Sequence, residues 1–115
     1  MADDCIFCKI ANGEFGTEFV YEDDLVVAFQ DLNPQAPVHV LVVPKTHYAN
    51  LVDNVPADVL KAMATAAEAV AKAKGVYDSG FRAIMNTGDD AGQTVHHLHM
   101  HILGGRNLGE GLIAD

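Results

Sequence analysis

The chain has 115 residues, enough for one domain with one hydrophobic core. Half of the residues are apolar and 20% are charged, a composition typical of a globular protein rather than a disordered one. The 7 basic and 16 acidic residues give a net charge of −9, which argues against binding nucleic acid through its phosphates. The sequence contains no apolar run of the roughly 18 residues that a membrane span requires.

The start of the sequence, residues 1–5, is acidic and lacks the basic segment and apolar core of a signal peptide. Two cysteines are too few for a disulfide-stabilised scaffold. We therefore expect a soluble cytoplasmic protein in a reducing compartment, with no membrane and no nucleic acid among its partners.

The first half of the sequence predicts strands. Residues 18–21 and 25–30 flank a polar run at 22–24 that suits a hairpin turn. Residues 38–43 are nearly all apolar and β-branched, which indicates a strand covered on both faces. The two prolines within residues 33–37 place a loop before this strand.

The middle of the sequence predicts one long helix, Ala57–Ala73, which contains eight alanines. Pro56 suits the first turn and Gly75 a stop. One apolar stripe runs along the helix, formed by Val59, Met63, Ala67 and Val70. Two further strands are predicted at 81–86 and 95–103. The order of the elements indicates an α+β fold with an antiparallel sheet.

Histidine is concentrated near the end of the sequence. Four of the six histidines fall within six residues, namely His96, His97, His99 and His101. On a strand, period two puts the last three on one face and three apolar side chains on the other, toward the core: Leu98, Met100 and Ile102. A solvated polar face is the plain alternative, but such faces are usually Lys, Glu or Thr. The row instead suggests metal ligation, nucleophilic catalysis or phosphate binding.

Two further features bear on this chemistry. The loop at 88–92, with Gln93 and Thr94 after it, could cradle an anion through N–H, amide and hydroxyl groups, or could be a plain hairpin connection. His39 lies within an apolar strand, where a lone histidine is usually a satisfied core residue. With the other histidines present, we interpret it as a residue that orients one of them.

The second cluster of reactive residues is Cys5-Ile6-Phe7-Cys8, a Cys-x-x-Cys pair. A redox couple of the thioredoxin type would need a βαβ context, which does not follow. Half of a zinc site is a second interpretation, because His47 and one histidine of the row could complete a Cys₂His₂ tetrahedron. Inert buried thiols are the third.

The sequence around the histidines resembles a known family. Residues 92–103 are similar to the histidine-triad signature H-φ-H-φ-H-φ-φ, where φ is apolar, and residues 31–45 resemble the central loop and strand of the same family. Residues 7–10 and 104–106 also match. The resemblance covers essentially the whole chain, which is identified as a single HIT domain, residues 1–115. It is closest to the zinc-binding Cys-x-x-Cys subtype of the Hint branch, the small nucleoside phosphoramidases.

The resemblance implies a homodimer of HIT-like α+β protomers. Each would have a five-stranded antiparallel sheet, one long helix and a short N-terminal helix. The implied activity is hydrolysis of purine nucleoside 5′-phosphoramidates, chiefly of AMP, through a nucleotidyl-histidine intermediate. His99 would be the nucleophile, and His101 would contact the phosphate and help the leaving group. His97 would hold His99 through its backbone carbonyl, and His39 would complete the hydrogen-bonded relay.

The resemblance also implies binding residues. The phosphate would be bound by Asn86, Gln93 and Thr94, and the ribose hydroxyls by Asp31. The base pocket would be lined by Phe7, Ile10, Phe29 and Leu32. A structural zinc ion would be held by Cys5, Cys8, His47 and His97, although His96 beside His97 could also supply the fourth ligand.

Three other functions remain open. A dinucleoside polyphosphate hydrolase of the same superfamily would share the triad but release a nucleotide instead of an amine. A non-catalytic nucleotide-binding or partner-binding module would keep the site without turnover. A zinc-dependent hydrolase would place His97, His99 and His101 together on a catalytic metal.

Overall fold

The computed structural model describes residues 5–113. Residues 1–4, which carry most of the acidic start used above in the signal-peptide prediction, lie outside this range. Two α-helices, a 3₁₀ turn and five strands occur in the order α1 (Ile6–Ala11), β1 (Tyr21–Glu22), β2 (Val26–Gln30), β3 (Val38–Pro44), α2 (Ala57–Ala73), β4 (Phe81–Ile84), the 3₁₀ turn Asp89–Ala91 and β5 (Met100–Gly104). No helix in this described range is long and apolar enough to cross a membrane.

The five strands form one antiparallel sheet in the order β1-β2-β3-β5-β4. The predicted α+β class, the five-stranded antiparallel sheet, the long helix and the short N-terminal helix are confirmed. β3 lies in the middle of the sheet, which explains its nearly continuous apolar sequence.

The two faces of β3 have different neighbours. Val40 and Val42 point to the α2 side, where they pack with the buried stripe of that helix, including Met63 and Val70. Leu41 and Val43 belong to a second cluster with Phe7 of α1 and Phe29 of β2. Because side chains alternate along a strand, His39 lies on this second face with Leu41, away from α2.

The structure corrects several predicted boundaries. Helix α2 has its predicted limits, but Pro56 is the N-cap residue rather than a first-turn residue. Gly75 follows the C-cap with a φ of 73°, as a helix stop requires. The strand predicted at 18–21 is limited to Tyr21–Glu22, and the one predicted at 81–86 ends at Ile84.

The largest correction is at the predicted strand 95–103, which begins only at Met100. The reason is Pro44, which would face Leu98 if the β3–β5 register continued beyond the Val42–Met100 pair. Proline has no N–H to donate, so the ladder ends. The Leu98 N–H instead donates to the Tyr48 carbonyl at 2.6 Å. His97 and His99 therefore precede the strand, although Leu98 remains in the core as predicted.

Candidate active site

The rings of His97 and His99 both lie against Phe7 of α1, and the ring of His101 lies beside that of His99. The ring centroids of His99 and His101 are 5.0 Å apart, and Phe7 meets His97 and His99 edge-on at 6.0 and 5.0 Å. His97 and His99 are buried, and His101 is half-buried. The three histidines predicted from the alternating sequence therefore lie near one another, although only His101 belongs to a strand of the sheet.

The hydrogen bond of His99 fixes its chemical state. Its Nδ1 lies 2.7 Å from the carbonyl oxygen of His97, which can only accept. Nδ1 therefore carries the proton, and in the neutral ring Nε2 keeps its lone pair. A neutral imidazole with a free Nε2 is a competent nucleophile near neutral pH.

The neighbouring His39–His101 pair is also fixed by hydrogen bonds. His39 Nε2 lies 2.9 Å from His101 Nδ1 and 3.4 Å from a carboxylate oxygen of Asp31. His39 Nδ1 accepts a hydrogen bond of 3.0 Å from the backbone N–H of Gln35. These contacts join His39 to His101 as the resemblance implied.

A second group of side chains forms a compact metal-ligand cluster. The two cysteine sulfurs and one ring nitrogen from each of two histidines lie within 4.8 Å of one another, the members being Cys5, Cys8, His47 and His97. His97 Nδ1 is 3.3 Å from Cys5 Sγ and 3.4 Å from Cys8 Sγ. Cys8 Sγ is 3.2 Å from His47 Nδ1. His96 is exposed and does not belong to this cluster.

The cluster fits a tetrahedral zinc ion by donor set and spacing. Zinc bonds of about 2.3 Å to sulfur and about 2.0 Å to nitrogen place neighbouring ligand atoms roughly 3.3–3.8 Å apart. The observed sulfur–nitrogen separations of 3.2–3.4 Å are close to this range. His97 Nε2 lies 2.8 Å from the Pro44 carbonyl oxygen, to which it donates its proton, so Nδ1 has its lone pair free for a metal.

Asp31, His39 and His101 also lie close enough together to suggest a metal site. The tautomer of His39 argues against it. Because Nδ1 already accepts from the Gln35 N–H, a neutral His39 has its proton on Nε2, the atom that a metal would need. We interpret this group as a hydrogen-bonded relay.

A single catalytic metal on His97, His99 and His101 is not compatible with the contacts. Nδ1 of His97 faces the cysteines, and its Nε2–H donates to Pro44. Neither ring nitrogen of His97 is therefore directed to an ion shared with His99. The zinc-hydrolase interpretation of the triad has no support in this geometry.

The loop before the histidines is organised by Gln93. Its side-chain oxygen accepts from the Gly88 N–H at 2.9 Å, and its amide nitrogen donates to the carbonyls of Ala49 and Val95 at 2.7 and 3.1 Å. Both amide hydrogens are therefore used within the protein. Gln93 is buried and holds the loop, and its amide has no donor left for a phosphate.

The remaining predicted binding residues differ in placement. Phe7 and Phe29 are buried and in edge-to-face contact at 5.8 Å, and Ile10 packs against the same cluster. Leu32 is 99% exposed, so it does not line a pocket within this protomer. Asn86 lies two residues past the end of β4 and is half-buried. Thr94 is exposed.

The functional contacts that the sequence did not predict come from backbone atoms. They are the carbonyl of Pro44 and the N–H of Gln35. Every residue has such groups, so the sequence gives no signal for them. An open groove of about 710 Å³ lies at the end of α2 and is lined by residues such as Lys74, Arg82 and Arg106 but by no histidine.

Comparison with known proteins agrees with this geometry. Residues 12–108 match the family model for the HIT domain. The chain is 46% identical over 112 residues to the purine nucleoside phosphoramidase of Escherichia coli (strain K12), covering 95% of this chain and 93% of that one. It is 40% identical over 109 residues to a 14 kDa zinc-binding protein of Brassica juncea, covering 91% and 96%. A histidine triad protein from Clostridium difficile superimposes with a TM-score of 0.90 at 52% identity, covering 96% and 98%.

The lowered pKa of the half-buried His101 predicts that the folded protein loses stability in acid. Burial lowers the pKa of His101 to about 4, assisted by the neighbouring His99 and His39 and opposed by Asp31. An unfolded chain binds a proton at this residue below about pH 6.5, while the folded chain does not until about pH 4. The contribution of the neutral His101 ring to the free energy of unfolding is therefore complete above about pH 6.5, and it is lost as the pH falls toward 4.

We expect the melting temperature (Tm) of the chelator-treated protein to fall by several degrees between about pH 7 and about pH 4.5. The His101→Asn variant should show a smaller fall over the same interval, since asparagine does not titrate there. The comparison is made by thermal unfolding followed by circular dichroism. Equal falls in both proteins would show that His101 does not contribute.

Proposed function

The chain belongs to the HIT domain family, and from this premise we propose that it hydrolyses purine nucleoside 5′-phosphoramidates through a nucleotidyl-histidine intermediate at His99. The observation that carries the proposal is the 2.7 Å contact of His99 Nδ1 with the His97 carbonyl, because it leaves Nε2 free to attack. The E. coli phosphoramidase relative supports this reaction, and the Clostridium difficile histidine triad protein supports the fold on which it occurs.

In the first step, the lone pair of His99 Nε2 forms a bond to phosphorus. The bond from phosphorus to the amine nitrogen breaks, and the amine leaves with that electron pair and takes up a proton from solvent, which the attacking water returns to solvent in the second step. The His99 ring now carries a positive charge, so the bond from its Nδ1–H to the His97 carbonyl becomes charge-assisted and stronger. This strengthening stabilises the intermediate more than the free enzyme.

In the second step, water attacks phosphorus and the bond to His99 breaks. Over the cycle one water is consumed, one of its hydrogens ends on the amine, and its hydroxyl ends on phosphorus. His99 returns to its starting state with Nδ1 still protonated. The proposed role of His101 is to donate a hydrogen bond from Nε2–H to the reacting phosphoryl group, with His39 holding its other nitrogen.

In this proposal, different residues bind the base, the ribose and the phosphate of the nucleotide. Phe7, Ile10 and Phe29 offer an apolar surface for the purine base. Asp31 uses one carboxylate oxygen to accept from the Asn33 N–H, and the other, 3.4 Å from His39 Nε2, has a second lone pair that would accept from a ribose hydroxyl. Backbone groups of the loop held by Gln93, together with the side chains of Asn86 and Thr94, would contact the phosphate.

Replacing the nucleophile tests the proposal. We expect His99→Ala to lower kcat/KM for adenosine 5′-phosphoramidate by several powers of ten, as loss of a nucleophile does elsewhere. His96→Ala is the matched control, because His96 is an exposed histidine three residues away. The control should keep normal turnover, and His99→Ala should still bind AMP by calorimetry.

Three results would change the assignment. Turnover by His99→Ala close to that of the control would contradict the covalent role of His99. Faster cleavage of a dinucleoside polyphosphate than of the phosphoramidate would move the protein to the polyphosphate hydrolases. A wild-type protein that binds AMP without turning over either substrate would be a binding module.

We also propose that Cys5, Cys8, His47 and His97 hold one structural zinc ion. The compact donor set and the free Nδ1 of His97 support the site, and the zinc-binding relative from Brassica juncea supports the metal. Four protein ligands fill a tetrahedron and leave no position for substrate. Bound zinc would link α1 to the segment that carries the histidines, which is a stabilising role.

Protein purified without chelator should contain close to one zinc per chain by elemental analysis. Cys5→Ser or treatment with a chelator should lower Tm, and activity should fall only as structure is lost. His96→Ala should keep its zinc, because its ring lies outside the cluster. A zinc content below about 0.2 per chain would return the two cysteines to the inert or redox interpretation.

The proposed assembly is a homodimer. The sheet has two edge strands, of which β1 has two residues and β4 has four. An edge strand offers unpaired backbone groups for association, and Phe81 and Ala83 of β4 are exposed. The alanine-rich face of α2 is not available for this association, since four of its alanines are buried within the chain: Ala62, Ala66, Ala67 and Ala71.

Sedimentation velocity should give twice the mass of one chain at micromolar concentration. Ala83→Lys, which places a charge on the edge strand, should shift the protein toward the monomer. Ala64→Lys adds the same charge to an exposed position of α2 and should leave the dimer intact. A monomeric wild type would refute the proposed assembly.

A further inference from the structure

The loop between β2 and β3, residues 31–37, folds around His39. The Asp31 N–H donates to the His39 carbonyl at 3.0 Å, and the Gln35 N–H donates to His39 Nδ1 at 3.0 Å. The side-chain amide of Gln35 turns away and donates to the Asn33 carbonyl. Gln35 therefore acts on the histidine through its backbone, while its side chain is exposed.

This single N–H determines where His39 carries its proton. An N–H group can only donate, so His39 Nδ1 must accept and must be unprotonated. The neutral ring then has its proton on Nε2, which faces His101 Nδ1 at 2.9 Å. The Asp31 carboxylate, 3.4 Å from the same Nε2, favours the same tautomer from the other side.

The tautomer of His39 in turn sets that of His101. Because His39 Nε2–H donates, His101 Nδ1 must accept, and the neutral His101 ring carries its proton on Nε2. The hydrogen-bond chain therefore has one direction, from the Gln35 amide through both rings. It ends in a donor at His101, whose ring lies beside that of His99.

We propose that the backbone N–H of Gln35 is a positioning group that fixes the tautomers of His39 and His101, and so makes His101 a neutral hydrogen-bond donor to the reacting phosphoryl group. The kinetic consequence rests on the proposed function, but the tautomers do not. With the chain reversed, His101 would present a lone pair to the anionic phosphoryl oxygens. That contact is repulsive, so the direction of the chain matters for the reaction.

The tautomers can be measured without substrate. In protein labelled with ¹⁵N at histidine, two-bond nitrogen–proton correlations distinguish a protonated ring nitrogen from an unprotonated one. At neutral pH the wild type should show His39 and His101 each protonated on Nε2. A wild-type His39 protonated on Nδ1 would overturn the proposal outright.

A pair of variants isolates the backbone N–H. Gln35→Pro removes both the N–H and the side chain, and Gln35→Ala removes only the side chain. We expect Gln35→Ala to keep the wild-type tautomers and Gln35→Pro to show a mixture of both. If proline distorts the loop, an α-hydroxy acid at position 35 replaces the N–H by an ester oxygen with little change in shape. Wild-type tautomers in the folded ester variant would contradict the role of the N–H.

Kinetics complete the test. For the Pro and ester variants we expect kcat to fall with the fraction of molecules in the competent tautomer, about twofold for an equal mixture, since one hydrogen bond of ordinary strength shifts a tautomer ratio by roughly threefold to tenfold. KM should stay within about twofold, because binding to the base and ribose is not altered. Tautomers that shift while kcat does not would contradict the kinetic part of the proposal. Absence of any phosphoramidase activity in the wild type would refute the proposed function, and the tautomer measurement would still stand.

Discussion

His97 is held through both ring nitrogens and holds His99 through its carbonyl oxygen. Its Nε2–H donates to Pro44, the residue at which the β3–β5 ladder ends because proline has no N–H. The break in the ladder lets residues 95–99 leave the sheet and approach α1. As a result, one buried residue joins the metal-ligand cluster to His99, and any movement of its backbone moves the acceptor of the His99 ring.

The two faces of β3 have different roles, since one packs in the main core and the other carries His39. Val40 and Val42 are buried against α2, in the main core. His39 lies on the opposite face, where the short helix α1 covers only part of the sheet. A polar residue on a central strand is costly to bury unless its groups are bonded, and both ring nitrogens of His39 have partners. The sheet can therefore support a buried relay at little cost to the core.

Patterns in the sequence were sufficient for the architecture but not for the contacts. The alanine-rich stripe located α2 to the residue, and the alternation at 97–103 placed Leu98, Met100 and Ile102 in the core. The start of β5 at Met100 could not be predicted because it depends on the partner strand, where Pro44 lies 56 residues earlier in the sequence. Gly105 is a second residue whose role depends on distant parts of the fold. Its φ is 91°, and a Cβ at this position would lie 2.9 Å from Cβ of Pro37, a contact that only the folded chain reveals.

The proposed catalytic side chains could be found because histidine is a rare residue and is clustered here, whereas the groups that fix their protonation are backbone atoms present everywhere. The use of backbone groups to fix the protonation of the histidines matters for the electrostatics of the site. In a chain of net charge −9, the long-range field repels an anionic nucleotide, so the proposed reaction would need the phosphoryl charge to be met locally. In the proposed reaction, the Nε2–H of the neutral His101 ring, set by His39 and the Gln35 amide, would be such a local donor. Because His39 belongs to a strand and Gln35 to a hydrogen-bonded loop, this donor would need little reorganisation as charge develops on phosphorus.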